Sequence, residues 1–216
     1  MTAKRLYLTT AALLLCLTLT ACMPAANVPP YLALLTPLLP IGRGTCSGAV
    51  ISPLEVVTAA HCVPSARRVV TASGQEAFVV ASRSLLTHDI AILTVDRKLF
   101  VAQFAEFANP ALGTQTLVWG YCPYQVSAVP RRAFYNGLTT LTIQDGPEQD
   151  YGEWLLPTVP NMSNKLCGGD SGGLAIQHGK VVGVISAVYS DLFFFALGSK
   201  AYSVPVGYLE RLRGGE

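Results

Sequence analysis

The run Gly168-Gly169-Asp170-Ser171-Gly172-Gly173 sets one serine among glycines. Glycine permits tight bends and close backbone approach, so peptide N–H groups in such a run can be turned toward a reacting oxygen. Two other stretches carry complementary groups. One is Thr58-Ala59-Ala60-His61-Cys62, holding one of only three histidines in the chain; the other is His88-Asp89-Ile90-Ala91. A hydroxyl becomes a useful nucleophile when a base takes its proton, and a carboxylate fixes the tautomer of an imidazole base. Ser171, His61 and Asp89 therefore form a candidate set for peptide-bond hydrolysis. Taken singly, each has a plainer reading: a packed imidazole, a solvated carboxylate at a strand end, a structural glycine turn.

Short strand-like runs rich in Val, Ile, Thr and Ala must position these groups. They fall at 45–51, 56–59, 68–72, 77–82 and 90–95, and then, past Asn109-Pro110, at 115–120, 132–141, 153–158, 174–177, 181–187 and 193–204. Gln177-His178-Gly179-Lys180 reads as a hairpin turn, and only 206–213 has helical spacing, with Tyr208, Leu209 and Leu212 on one face. The stretch 32–39 is apolar but flanked by prolines, which favours an extended wrap or a buried edge over a helix. Many short strands in two groups with a terminal helix predict an all-β protein built from two small barrels.

The chain has 216 residues, 51% hydrophobic and 13% charged, enough for one large domain or two small ones with real cores. Residues 1–21 read as a secretory signal: Lys4 and Arg5, an apolar stretch from 6 to 19, then small residues. Without those two cations the 15 basic residues fall to 13, matching the 13 acidic ones, so nothing favours nucleic acid as a partner. Leu19-Thr20-Ala21-Cys22 resembles the lipobox of bacterial lipoproteins, which implies lipidation of Cys22 and a lipid anchor inserted in a membrane. A simple signal peptide cut near Ala21 or Ala26 is the alternative, giving a secreted protein. Residues 22–37 then form a tether and entry segment. With Cys22 acylated, Cys46, Cys62, Cys122 and Cys167 remain for two disulfides, with three pairings open. None has the close spacing of a zinc site, so neither a metal nor a cofactor is expected.

Cys46-Ser47-Gly48-Ala49-Val50-Ile51, Val57-Thr58-Ala59-Ala60-His61-Cys62, Asp89-Ile90-Ala91-Ile92-Leu93 and Gly169-Asp170-Ser171-Gly172-Gly173 together resemble, in order, the trypsin/chymotrypsin-like serine proteases. Trp119-Gly120 and Ala201-Tyr202-Ser203-Val204 extend the resemblance to the C-terminus. It implies two six-stranded antiparallel β-barrels with a short C-terminal helix. The first spans 38–110 and carries His61 and Asp89; the second spans 111–216 and carries Ser171. It further implies a monomeric trypsin-like serine endopeptidase acting on protein or peptide substrates through an acyl-enzyme. His61 is then the general base, Asp89 its orienting carboxylate and Ser171 the nucleophile, with the N–H groups of Gly169 and Ser171 as oxyanion hole. The resemblance also pairs Cys46 with Cys62 and brings Cys122 and Cys167 near the primary pocket, where a Cys122–Cys167 bond would stiffen the oxyanion region. His88 has no role in it beyond packing on or shielding Asp89.

Three departures from the family pattern matter. The activating Ile-Val-Gly-Gly run is missing, so activity without cleavage is expected, with Asp170 paired to backbone N–H groups, Lys165 or another cation. Lys165 falls at the floor of the substrate pocket and Ser186, Ala187, Val188 and Lys200 at its walls, so an acidic floor for Arg or Lys side chains is missing. A small apolar or uncharged side chain is the expected preference; attraction of a Glu or Asp side chain by Lys165 or Lys200 is the alternative to both lysines reaching out to solvent. Val188, where relatives commonly have glycine, keeps open a non-catalytic protein-binding module with an occluded cleft. The expected location is the bacterial cell envelope, lipid-anchored at the outer membrane and facing the periplasm.

Overall fold

The computed structural model describes residues 28–38, 44–85, 88–111, 113–121, 131–134, 138–141, 151–157, 168–189 and 200–214. Cys22, Cys122, Lys165 and Cys167 lie outside them. Six strands close an antiparallel barrel: β1 (Leu32–Thr36), β2 (Cys46–Ser52), β3 (Glu55–Thr58), β4 (Arg68–Thr71), β5 (Glu76–Leu85) and β6 (Ile90–Val95), in the order β1-β2-β3-β6-β5-β4. Leu32, Leu35, Ile90, Ile92 and Leu93 are fully buried. β2 and β6 are buried on both faces and read as nearly unbroken apolar runs, whereas the longer β5 turns most of its residues to solvent. β1 corrects the expected boundary of the tether. Its five residues pair with both β2 and β4, so the extended wrap is a stave of the barrel, and the prolines sit outside its ladder.

The second group comprises β7 (Gln115–Trp119), β8 (Arg131–Phe134), β9 (Leu138–Leu141), β10 (Tyr151–Pro157), β11 (Leu174–Gln177), β12 (Lys180–Tyr189) and β13 (Lys200–Pro205). They form a seven-stranded antiparallel sheet in the order β8-β7-β11-β12-β13-β10-β9. A second closed six-stranded barrel is therefore not what the described residues display. The run 132–141, expected as one strand, is split into β8 and β9, which occupy the two ends of the sheet without a ladder between them. The predicted hairpin is present: His178 and Gly179 have φ of 49° and 79°, the left-handed pair that a two-residue turn of this twist requires.

Near the linker, two joints tie the halves together. The N–H of Ala108 donates to the Val181 carbonyl at 3.0 Å and that of Val181 to the Glu106 carbonyl at 2.8 Å. Gln177 then brackets Ala111, accepting from its N–H and donating to its carbonyl. Helix α1 (Gly207–Gly214) returns to the first barrel, burying Leu209 and Leu212 while Arg83 donates to the Leu212 carbonyl at 3.3 Å. A helix of eight residues is marginal alone, so its stability comes from this docking and from cationic capping of its last turn. No helix among the described residues is long and apolar enough to cross a membrane.

Candidate active site

His61 lies in a 3-10 turn, Ala60–Cys62, that follows β3. The Cys46–Cys62 disulfide ties this turn to the start of β2, with Cα atoms 6.1 Å apart, as the resemblance implied. The two sulfurs and the imidazole lie within 4.8 Å of one another. That cluster has no capacity for a metal, because disulfide sulfurs are not thiolate ligands.

Asp89 is buried and has φ of 48°, a left-handed conformation that aspartate tolerates better than bulkier residues. Its Oδ1 accepts the His61 backbone N–H at 2.9 Å and its Oδ2 faces His61 Nδ1 at 2.8 Å. Because a carboxylate only accepts, Nδ1 carries the proton, and Nε2 keeps the lone pair that a base needs. A third donor, the Ser186 hydroxyl, reaches Oδ2 at 2.5 Å. Three hydrogen bonds to one carboxylate fix its orientation. His88 turns the other way, its ring 3.8 Å from that of Tyr208 between centroids, so it locks the Asp89 turn onto α1.

Ser171 follows the 3-10 turn Gly168–Asp170 and is nearly buried, its hydroxyl 3.3 Å from the Ser186 carbonyl. Ser186 thus touches both ends of the candidate triad: its side chain binds Asp89 and its carbonyl receives Ser171. The Ser186 side chain is turned onto Asp89 and buried, so any part it plays in the expected pocket wall falls to its backbone. It occupies a register irregularity of β12, between Ile185 and Ala187, where the ladder is free to re-aim a side chain. Beyond it Ala187, Val188 and Tyr189 continue along β13 opposite Tyr202, Ala201 and Lys200, whereas the β11 ladder stops at Val184.

Several positioning residues were not singled out from the sequence. Ser47 is fully buried on β2; its N–H donates to the Ser171 carbonyl at 2.7 Å and its hydroxyl to the Gly169 carbonyl at 2.8 Å, while accepting from the Tyr121 N–H at 2.7 Å. Thr58 in turn donates to the Ser47 carbonyl at 2.8 Å. Gly172, at φ of 77°, fits against this pair, and a Cβ there would collide with the Ser47 carbonyl and the Thr58 hydroxyl. Gly120 gives room to the fully buried Asp170, since a Cβ would lie 2.6 Å from its Oδ1. The one signal available in sequence was a serine inside an otherwise apolar strand, which must find partners when buried. Next to it, burial raises the Tyr121 phenol above its ordinary value.

These features define an all-β protein with a serine-protease-like site at the junction of its two halves. The trypsin-like peptidase domain model matches residues 46–184, and the chain belongs to that family. Trypsin delta of Drosophila melanogaster is 27% identical over 177 residues, covering 68% of this chain and 70% of that one. Trypsin of Saccharopolyspora erythraea is 24% identical over 188 residues, covering 74% and 83%. Among solved structures, the active form of the Rv3671c protease from M. tuberculosis superposes with a TM-score of 0.68 at 21% identity, covering 86% of this chain and 80% of that one. The scabies mite inactivated protease paralogue S-I1 gives 0.66 at 18% identity, covering 88% and 96%. Proteins described as active and as inactivated thus share this fold, so activity must be argued from residues.

Proposed function

We propose that the chain is a serine endopeptidase with Ser171 as nucleophile, His61 as general base and Asp89 as the orienting carboxylate. The observation that carries this is the Asp89 carboxylate, which holds both the backbone and Nδ1 of His61 while its third partner, Ser186, also receives the Ser171 hydroxyl. As the Ser171 proton swings from the Ser186 carbonyl to His61 Nε2, Oγ attacks the scissile carbonyl. The imidazolium formed then protonates the leaving amine, and water, activated by the same imidazole, releases the acyl group. The N–H groups of Gly169 and Ser171 serve as oxyanion donors, their loop fixed by the two Ser47 bonds. Past Ser186 the side of β12 that the β11 ladder leaves unpaired among the described residues can accept an extended substrate strand, and Val188 with the lack of an acidic floor favours a small uncharged side chain before the cut.

Order in this loop comes from the first barrel, through Ser47 and the close fit of Gly172, so the enzyme acts without a freed N-terminus. Acylation at Cys22 places it at the envelope, at the outer membrane facing the periplasm, and a Cys122–Cys167 bond completes the disulfides. A fluorophosphonate probe should label the protein and fail on Ser171→Ala. An intact, folded chain that resists the probe would instead support the binding-module reading. Intact-mass analysis of the labelled protein tests the absence of a cut within 30–45, and a peptide library tests the pocket, with fast cleavage after arginine counting against it.

A further inference from the structure

The end of the first barrel opposite the candidate active site combines three observations. Asp89 precedes β6 and Phe100 follows it, so six strand residues, roughly 20 Å at ~3.3 Å each, separate the two ends. At the far end Phe100 is 72% exposed, yet its backbone is pinned by Gln75, which accepts its N–H at 2.9 Å and donates to its carbonyl. A large apolar side chain is thereby held out in solvent on a fixed backbone, near partly exposed Leu54, with Arg97 over the Phe78 ring and Lys98 exposed beside them. Asp96 neutralises Arg97 at 2.9 Å, so Lys98 is left as the surplus cation of this segment.

The chain enters the barrel at this same end. The Ala72 N–H donates to the Leu32 carbonyl at 3.0 Å, and Gln75 stands on the same β4–β5 turn. Cys22 precedes Val28, the first described residue of this entry, by six positions, a reach of about 20 Å at full extension. Any anchor at Cys22 therefore leads off from this end of the barrel.

We propose that this end of the barrel is a lipid-facing surface, with Phe100 inserted at the headgroup boundary and Lys98 among the headgroups, so that the cleft opens away from the membrane. This rests on the envelope location proposed above but does not require the acyl chains. Aromatic side chains suit such a boundary, and burying one is worth about a tenfold gain in partitioning.

The test uses the mature chain, which begins at residue 22 and carries Cys22→Ala, floated with vesicles of three parts phosphatidylethanolamine to one part phosphatidylglycerol. Phe100→Ser should weaken partitioning about tenfold, while Leu38→Ser, at a residue 64% exposed beyond the opposite end of β1, should leave it within about twofold. Phe100→Trp should preserve binding and shift its fluorescence to the blue on the vesicles. Equal partitioning of the Phe100→Ser and Leu38→Ser chains would overturn the proposal, as would an unshifted tryptophan. Acyl-label incorporation into the unmodified sequence reads the anchor separately: its failure, with the vesicle result intact, removes the tether and leaves the surface.

Discussion

Removing the Ser47 hydroxyl is the sharpest test of how the site is held. Ser47→Ala leaves two groups without their partner, the buried Gly169 carbonyl and the part-buried Tyr121 N–H. An orphaned buried polar group costs about 1–3 kcal/mol and a part-buried one less, so the pair predicts a loss of about 2–4 kcal/mol in unfolding free energy. The catalytic effect is expected to be larger than stability alone explains. Gly169 carries a proposed oxyanion donor, and losing the position of one such donor lowers kcat by about 10²–10³. KM should move little, because the ground-state carbonyl depends less on that donor than the tetrahedral intermediate does. Urea unfolding gives the first quantity, and steady-state kinetics on the best library peptide gives the second. Ser52→Ala is the control: its hydroxyl meets Glu55 at 3.1 Å in a part-exposed turn, and a loss within about 0.5 kcal/mol is expected. A Ser47→Ala protein with kcat within twofold and stability within about 0.5 kcal/mol of the parent would refute the argument that the first barrel orders the Ser171 loop.

Gly172→Ala should abolish probe labelling and cost more than about 4 kcal/mol, since left-handed strain adds to collisions with two groups of the first barrel; a soluble, labelled variant would contradict this. Asp89→Asn should lower kcat by about 10⁴ through the wrong His61 tautomer, and a loss below tenfold would show that Asp89 does not orient the base. Replacing Cys46 and Cys62 together by alanine opens a loop with a separation of 16 and should cost about 3 kcal/mol, lowering Tm by roughly 6–12 °C in a scan. Burial raises the Tyr31 phenol, with nearby Glu106 adding to the effect, and burial raises Tyr121 as well. The folded state therefore holds these protons more tightly, and stability is full below the ordinary value of 10.0 and declines as pH rises above it. Tyr31→Phe should flatten that alkaline decline in urea midpoints measured across pH; an unchanged slope would sink the assignment.

The candidate site residues were legible because each sits in a local motif whose types are constrained by its expected role. His61, Asp89 and the Ser171 loop need particular neighbours within a few positions, and the Cys46–Cys62 bond follows the same motifs. Strands with alternating or continuous apolar patterns were legible for a similar reason; 90–95 and 174–177 match their observed bounds. What escaped depends on distant partners. Ser47 meets Tyr121 and Gly169 across 74 and 122 positions, and Ser186 meets Asp89 across 97, separations at which no periodicity can link residues. β1 escaped because prolines around it resemble loop punctuation, although the ladder needs N–H groups only from the residues between them. The openness of the second sheet depends on which strands become its ends, and strand pattern alone says nothing about that.

The hydrogen bonds across the junction run both ways, and that reciprocity bears on how activity should be lost. The second sheet sends the Ser186 hydroxyl into the Asp89 carboxylate of the first barrel, and the first barrel sends the Ser47 hydroxyl and N–H into the Ser171 loop of the second. Neither half thus holds a complete site in working geometry by itself. The remaining ties near the linker, through Val181 and Gln177, keep the halves joined without touching either triad end. Separation of the halves by a small angle would therefore break the catalytic bonds while leaving each core packed. Activity is expected to disappear at lower denaturant than the bulk of the β-structure, because it reports the junction, while circular dichroism reports the two cores.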